Sequence, residues 1–243
     1  MYASIGLSCL PLRVPVSLCR RGWAAKALFA FGLLVGSSAA AQDVSVTYAF
    51  GEPALDEGGA YARVSVAACA ARHQIGKPQV PCRTGRILLP AGAKVEGVAA
   101  EALEAVREVK VSKPLDFGRT PLPIGVQDHP SVAAAALDRP DAAIYGADAA
   151  YPASRAELVS VQKMNGYSIA IVRIYPVQYQ PASGTLLFCP RLKVTVKVGA
   201  AALQATAVPL FRPAEPLTQR VAAFVDNPSE MAAYQAWAPL GLE

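Results

Sequence analysis

Cysteine and histidine side chains are the groups in this chain whose chemistry would allow nucleophilic catalysis. A cysteine nucleophile needs a histidine within hydrogen-bond reach of its sulfur. The chain has only two histidines, His73 and His129. His73 follows Cys69 in a predicted strand-end loop, and His129 precedes a proline in a proline-rich stretch, so neither belongs to the motif of a catalytic pair. We expect two surface histidines and no catalytic residue.

The sequence also lacks the motifs of phosphate-binding and metal-binding sites. No phosphate-binding loop and no cysteine spacing typical of a zinc site occurs, and we expect neither a metal nor another cofactor. Glu101, Glu104 and Glu108 are the nearest approach to a carboxylate cluster, and their spacing indicates a solvated face.

The first 41 residues have the pattern of an export signal. Arg20, Arg21 and Lys26 precede the apolar run 27–36, and small residues follow it. We predict cleavage between Ala41 and Gln42. The run is too short for a stable membrane span. A hydrophobic core helix is the alternative, but its flanks argue for a signal. We therefore expect the protein to be exported to the periplasm, the cell surface or the medium.

Charge and cysteine content both change once the signal is removed. The chain has 23 lysines and arginines against 18 acidic residues, and four of the basic residues precede residue 42. The exported part is therefore nearly neutral, which argues against a nucleic-acid partner. Of five cysteines, three remain. In an oxidising compartment Cys69 and Cys82 either form a disulfide or stay as thiols, as Cys189 would.

The exported part reads as a chain of short strands separated by turns. Apolar and polar residues alternate from Val44 to Phe50. We predict further strands at 61–68 and 83–89, with a loop at 51–59. The sequence Asn165-Gly166 closes a predicted hairpin between strands 158–164 and 167–174. The twenty prolines suit such an architecture better than a helical bundle.

Three stretches are less regular. Residues 94–111 favour a helix by propensity because they are rich in alanine and glutamate. Residues 113–152 contain six prolines and indicate an extended, partly ordered excursion, with helical turns near 131–137. In the tail, Asn227-Pro228 is a typical helix start, and we predict a helix over 229–237.

The most specific motif lies between the hairpin and the last predicted strand. It reads Tyr-Pro-Val-Gln-Tyr-x-Pro-x-x-Gly-x-Leu over 175–186, and a predicted strand over 186–198 follows. A Gly-x-Pro-x-x-Pro segment begins at Gly76, and a Pro-x-Gly-Ala turn begins at Pro90. Together these motifs resemble the N-terminal propeptide of gingipain-like cysteine peptidases over most of residues 44–198.

The resemblance implies an all-β fold, an antiparallel β-sandwich with the proline-rich excursion and a short C-terminal helical tail. It replaces the helix at 94–111 by two strands with a turn near Glu101. It divides the chain into a signal at 1–41, a β domain at 42–205 and a linker at 206–243 that would lead to a catalytic domain.

The resemblance also implies a function. A propeptide binds its cysteine peptidase, covers the active site and assists folding, in cis or in trans. Because gingipain-type enzymes cut after arginine or lysine, a basic side chain of the excursion would enter the specificity pocket. The candidates are Arg119, Arg139 and Arg155. The chain would then be non-catalytic itself and, if the gene is longer, the N-terminal part of a zymogen. The alternative is a standalone secreted binding or surface-assembly module.

Overall fold

A computed structural model describes residues 43–121, 138–199 and 215–235, which belong to one unit of the chain. The predicted signal cleavage at Ala41 and Gln42, the residue His129 and the predicted turns near 131–137 lie outside these ranges. Twelve strands occur in the described part: β1 Val44–Ala49, β2 Ala54–Asp56, β3 Arg63–Ser65, β4 Ala70–Ala71, β5 Pro81–Leu88, β6 Lys94–Ala102, β7 Arg107–Lys110, β8 Ala156–Met164, β9 Tyr167–Ile174, β10 Val177–Gln180, β11 Thr185–Phe188 and β12 Arg191–Gly199.

The helices are few and short. They are α1 Ala142–Tyr145, α2 Glu215–Phe224 and α3 Met231–Gln235, with a 3-10 turn at Pro228–Glu230 before α3. The helix predicted over 229–237 is therefore confirmed as far as the described residues reach. No helix in the described ranges has the length and apolar character to cross a membrane.

Two antiparallel sheets form the predicted sandwich. One has the strand order β1-β12-β6 and the other has the order β4-β5-β9-β8. Leu192, Val194, Val196 and Val198 alternate along β12 and are all buried against the second sheet. Their alternation is the reason for the sandwich, because a strand with one apolar face must cover that face.

A smaller layer extends the sandwich at one end. Strands β10-β11-β7 form a third sheet, and β2 pairs with β3 in a two-stranded ribbon. Tyr175, Val177, Leu186 and Phe188 are buried between them. This layer supports the two ends of the excursion.

The hairpin prediction is confirmed. Strands β8 and β9 pair directly, with Met164 opposite Tyr167. Asn165 and Gly166 both have positive φ, 50° and 84°, as a type I′ turn requires.

Several predicted boundaries were wrong. The loop predicted at 51–59 contains β2, and the strand predicted at 61–68 shrinks to β3. The strand predicted over 186–198 is two strands, because Pro190 cannot donate to a ladder and the chain there crosses from one sheet to another.

The helix that propensity favoured over 94–111 does not form, whereas the two strands implied by the resemblance do. These strands, β6 and β7, do not pair with each other. Strand β6 pairs with β12 and β7 pairs with β11. Pairing with buried partner strands outweighs the intrinsic helix preference of alanine and glutamate.

Candidate functional site

The two ends of the proline-rich excursion are fixed to each other. The backbone N–H of Thr120 donates to the carboxylate of Asp138, and the Thr120 hydroxyl donates to the same carboxylate at 3.0 Å. These two residues are 18 positions apart. The two ends of the excursion, at Thr120 and Asp138, therefore lie next to each other.

The outgoing end rests on a buried carboxylate. Asp116 is 5% exposed and accepts hydrogen bonds from the Phe117 backbone N–H and from the guanidinium groups of Arg63 and Arg119, at 3.0–3.1 Å. Two cations and one amide compensate the cost of burying this charge. Gly118 lies against the backbone of Gln74, where an added Cβ would be 2.2 Å from the carbonyl oxygen.

The returning end is held by backbone and tyrosine contacts. The N–H of Asp141 donates to the carbonyl of Gly76, and the Asp141 carboxylate caps α1 through the N–H of Ala143. The hydroxyl of Tyr145 donates to the carbonyl of Leu115 at 2.7 Å. Tyr151 and Tyr179 exchange two backbone hydrogen bonds at 2.7 Å.

The three candidate arginines have different surroundings. The guanidinium of Arg119 stacks on the rings of Phe117 and Tyr61, at 4.6 and 6.0 Å from their centroids, and pairs with Asp116. The guanidinium of Arg155 donates to the carbonyls of Pro176 and Leu187, and burial lowers its pKa.

Arg139 differs from both. It is exposed, lies directly after Asp138, and has no hydrogen bond or ion pair within the described ranges. The structure thus places Arg119 and Arg139 at the two ends of the excursion, whereas Arg155 is half-buried against Pro176 and Leu187.

Within the described residues, no cysteine sulfur is hydrogen-bonded to a histidine. Cys69, Cys82 and Cys189 are present as thiols, and burial raises the pKa of Cys69 to about 11 and also raises that of Cys82. His73 bonds through Nε2 to the backbone oxygen of Arg119 at 2.6 Å. A thiol with a raised pKa is a poor nucleophile at neutral pH.

The predicted disulfide between Cys69 and Cys82 stays a prediction. The two residues lie where β4 pairs with β5, with Cys82 opposite Ala70. Both side chains also pack against the same buried cluster. The turn at Ala68, with φ of 60°, turns the chain just before Cys69.

Sequence reasoning missed the residues that hold the excursion. Asp116, Thr120 and Asp138 fall in a stretch without periodicity, and the contacts of Asp116 with Arg63 and of Thr120 with Asp138 join residues far apart in sequence. The only signal was composition, since aspartate and glycine are common where a chain turns sharply.

Comparison with known proteins supports the fold. No protein-family model matches the chain, and no curated protein does. The chain is similar to a solved structure titled as the complex of the pro- and mature domains of RgpB from Porphyromonas gingivalis, with 16% identity and a TM-score of 0.55. That match covers 77% of this chain and 92% of the other.

A second similar structure concerns the zymogenic latency of gingipain K from the same organism. The identity is 19% and the TM-score is 0.46, over 68% of this chain and 96% of the other. Taken together with the strand order above, the RgpB likeness shows that this chain has a gingipain-propeptide-like fold.

Proposed function

We propose that this chain is a propeptide-like domain that binds a gingipain-type cysteine endopeptidase, blocks its active site and assists its folding. The observation that carries the proposal is a rigid sandwich that presents an excursion with both ends fixed and an exposed arginine at its base. The likeness to a chain of the RgpB pro- and mature-domain complex supports the same reading. The peptidase is the partner, in cis or in trans.

Among the three arginines, the contacts favour Arg139 as the inhibitory residue. A side chain that enters a specificity pocket must first leave its own partners. Arg119 would have to give up Asp116 and two aromatic rings, and Arg155 would have to give up its hydrogen bonds to the carbonyls of Pro176 and Leu187. Arg139 has no such partner in the described ranges and is already exposed.

The guanidinium of Arg139 would bind in the specificity pocket of the peptidase. It presents a planar set of N–H donors that matches a carboxylate, and the pair gains strength when the pocket excludes water. Thr120 and Asp138 on one side and the Asp141–Gly76 hydrogen bond on the other would fix the backbone around Arg139. A segment held in this way loses little conformational entropy on binding.

Inhibition of an arginine-specific gingipain-type peptidase by the exported chain tests the proposal. We expect Arg139→Ala to raise the inhibition constant at least about thirtyfold, because truncating one partner of a desolvated charge pair costs about 2 kcal/mol or more. Arg119→Ala and Arg155→Ala are the matched controls and should change it much less, provided that their unfolding midpoints remain close to that of the parent.

Two results would contradict the proposal. If the parent chain forms no complex with such peptidases, the standalone binding or surface-assembly module becomes the better description. If the parent inhibits and Arg139→Ala inhibits equally well, the domain is an inhibitor but its specificity residue lies elsewhere.

A further inference from the structure

The outer edge of β5 has a gap between two sets of hydrogen-bonded partners. At one end Cys82 pairs with Ala70 of β4. At the other end the backbone N–H of Arg86 donates to the carboxylate of Asp226, and the backbone of Asp226 donates to the carbonyl of Arg86. Every second residue of an antiparallel strand points its N–H and C=O to the same side. Thr84 therefore directs both groups to this edge, between the two sets.

A groove of about 430 Å³ lies at this gap. Thr84, Ala68 and Ala70 are among the residues that line it. Arg83 and Arg86 line it from the two faces of β5. Within the described residues, no backbone hydrogen bond to Thr84 closes this edge.

The two arginines are held by aromatic rings and not by acids. The guanidinium of Arg83 lies 5.1 Å from the ring centroid of Tyr48, and that of Arg86 lies 4.6 Å from the ring centroid of Phe224. Neither side chain forms an ion pair or hydrogen bond in the part of the chain that the structure describes. Stacking on a ring fixes a guanidinium and leaves its N–H donors available.

The one acid that lines the groove is already engaged. Asp226 accepts hydrogen bonds from the Tyr48 hydroxyl and from the Arg86 backbone N–H, both at 2.8 Å and both on Oδ2. The groove thus combines two cationic side chains, one hydrogen-bonded carboxylate and a strand edge with a donor and an acceptor.

We propose that this groove binds an extended acidic peptide segment, whose aspartate or glutamate carboxylate pairs with Arg83 or with Arg86 according to the face of β5 to which it projects. The Thr84 N–H donates to the peptide backbone, and the Thr84 carbonyl accepts from it, as in the addition of a strand to a sheet edge. A free anion offers only acceptors and would leave that carbonyl without a donor. This is the reason for choosing a peptide over a small anion.

The site depends on the C-terminal segment. Phe224 and Asp226 belong to the segment 215–235, whereas Arg83 and Thr84 belong to β5. Docking of this segment on β5 completes the groove, so segment docking and peptide binding are expected to favour each other. The proposal is independent of the peptidase function.

Fluorescence anisotropy with two blocked seven-residue peptides tests it. Both peptides alternate alanine and valine, and the central residue is glutamate in one and glutamine in the other. We expect the exported chain to bind the glutamate peptide at least tenfold more tightly. The variant Arg83→Gln with Arg86→Gln should abolish that difference, because glutamine keeps part of the stem and removes the charge.

The matched control is Arg107→Gln with Arg191→Gln, two arginines in exposed ion pairs with Glu52 and Glu104, and it should bind like the parent. Thr84→Pro is a second variant, which removes the edge N–H and keeps both arginines. Proline is tolerated where a strand's N–H faces an open edge. We expect it to weaken the glutamate peptide at least fivefold.

Three results would overturn the proposal. Equal binding of the two peptides would show that the peptide's carboxylate does not contribute to binding. A preference for the glutamate peptide that survives loss of both arginines would place the partner of that carboxylate elsewhere. Displacement of the peptide by free glutamate at concentrations near the peptide's own Kd would show a site for small anions and not for a peptide strand.

Discussion

Gly118 allows two loops to approach more closely than a side chain would permit. An added Cβ would meet the backbone of Gln74, which cannot move away as the end of a side chain can. We expect Gly118→Ala to destabilise the domain by about 1–3 kcal/mol, the usual cost of overpacking. Chemical denaturation measures this change in the free energy of unfolding.

Gly97→Ala is the matched control for that substitution. A Cβ at Gly97 would meet nothing within 4 Å, and alanine is favoured over glycine within a strand by about 0.5–1 kcal/mol. Gly97→Ala should therefore leave stability unchanged or raise it. Equal losses in both variants would show that the close approach at Gly118 is unimportant.

Glu157 links stability to pH. Burial opposes its ionisation, but hydrogen bonds from Tyr175 and Arg173 and the nearby Arg72 hold its pKa below the ordinary value of 4.5. A lowered folded-state pKa stabilises the fold above the ordinary value, and this contribution is lost as the pH falls through the folded value.

Chemical denaturation at a series of pH values measures the contribution of Glu157 to stability. We expect Glu157→Gln to lower the free energy of unfolding at pH 7 and to make its decline between about pH 5 and about pH 3 shallower than in the parent. A parallel decline in both proteins would mean that Glu157 does not contribute to acid sensitivity.

At the scale of elements, the C-terminal segment completes the edge of β5. The side chain of Asn227 accepts from the Leu88 N–H at 2.7 Å and donates to the Leu88 carbonyl at 3.0 Å, as a neighbouring strand would. Val221, Val225 and Met231 cover an apolar patch of the same sheet. Residues 215–235 are thus packed on the domain.

We expect Asn227→Ala to cost about 1–3 kcal/mol, because it leaves two backbone groups without partners. Hydrogen exchange should accelerate at the Leu88 amide first. Gln219→Ala serves as a control on the exposed face of α2, where the side chain donates to Glu215, and should cost less than about 0.5 kcal/mol. Unchanged exchange at Leu88 would argue against the contact.

The elements that sequence could predict are those with strong local signals. The turn at Asn165-Gly166 and the alternation along β12 each specify structure within a few residues. The failures have a common physical cause. The break at Pro190, the short β2 and the docking of Asn227 on Leu88 depend on partners far away in sequence. The candidate site was predictable only as a region, because the Arg63–Asp116 and Thr120–Asp138 contacts join residues 53 and 18 positions apart.

At the scale of the whole molecule, inhibition and folding assistance should separate. Folding assistance would use the sandwich surface, whereas inhibition would use Arg139. We expect the exported chain to increase the refolding yield of a denatured gingipain-type peptidase domain several-fold, and Arg139→Ala to do so equally well while inhibiting poorly. Loss of both activities together would mean that one contact serves both.

The closure between Thr120 and Asp138 also has a consequence for design. A loop whose ends are already joined can change in length at little cost, since each doubling adds only about 0.6 kcal/mol of closure entropy. The stretch between these two residues is therefore a natural graft position. Replacing it with sequences of other lengths should leave the scaffold and the placement of Arg139 beneath it unchanged.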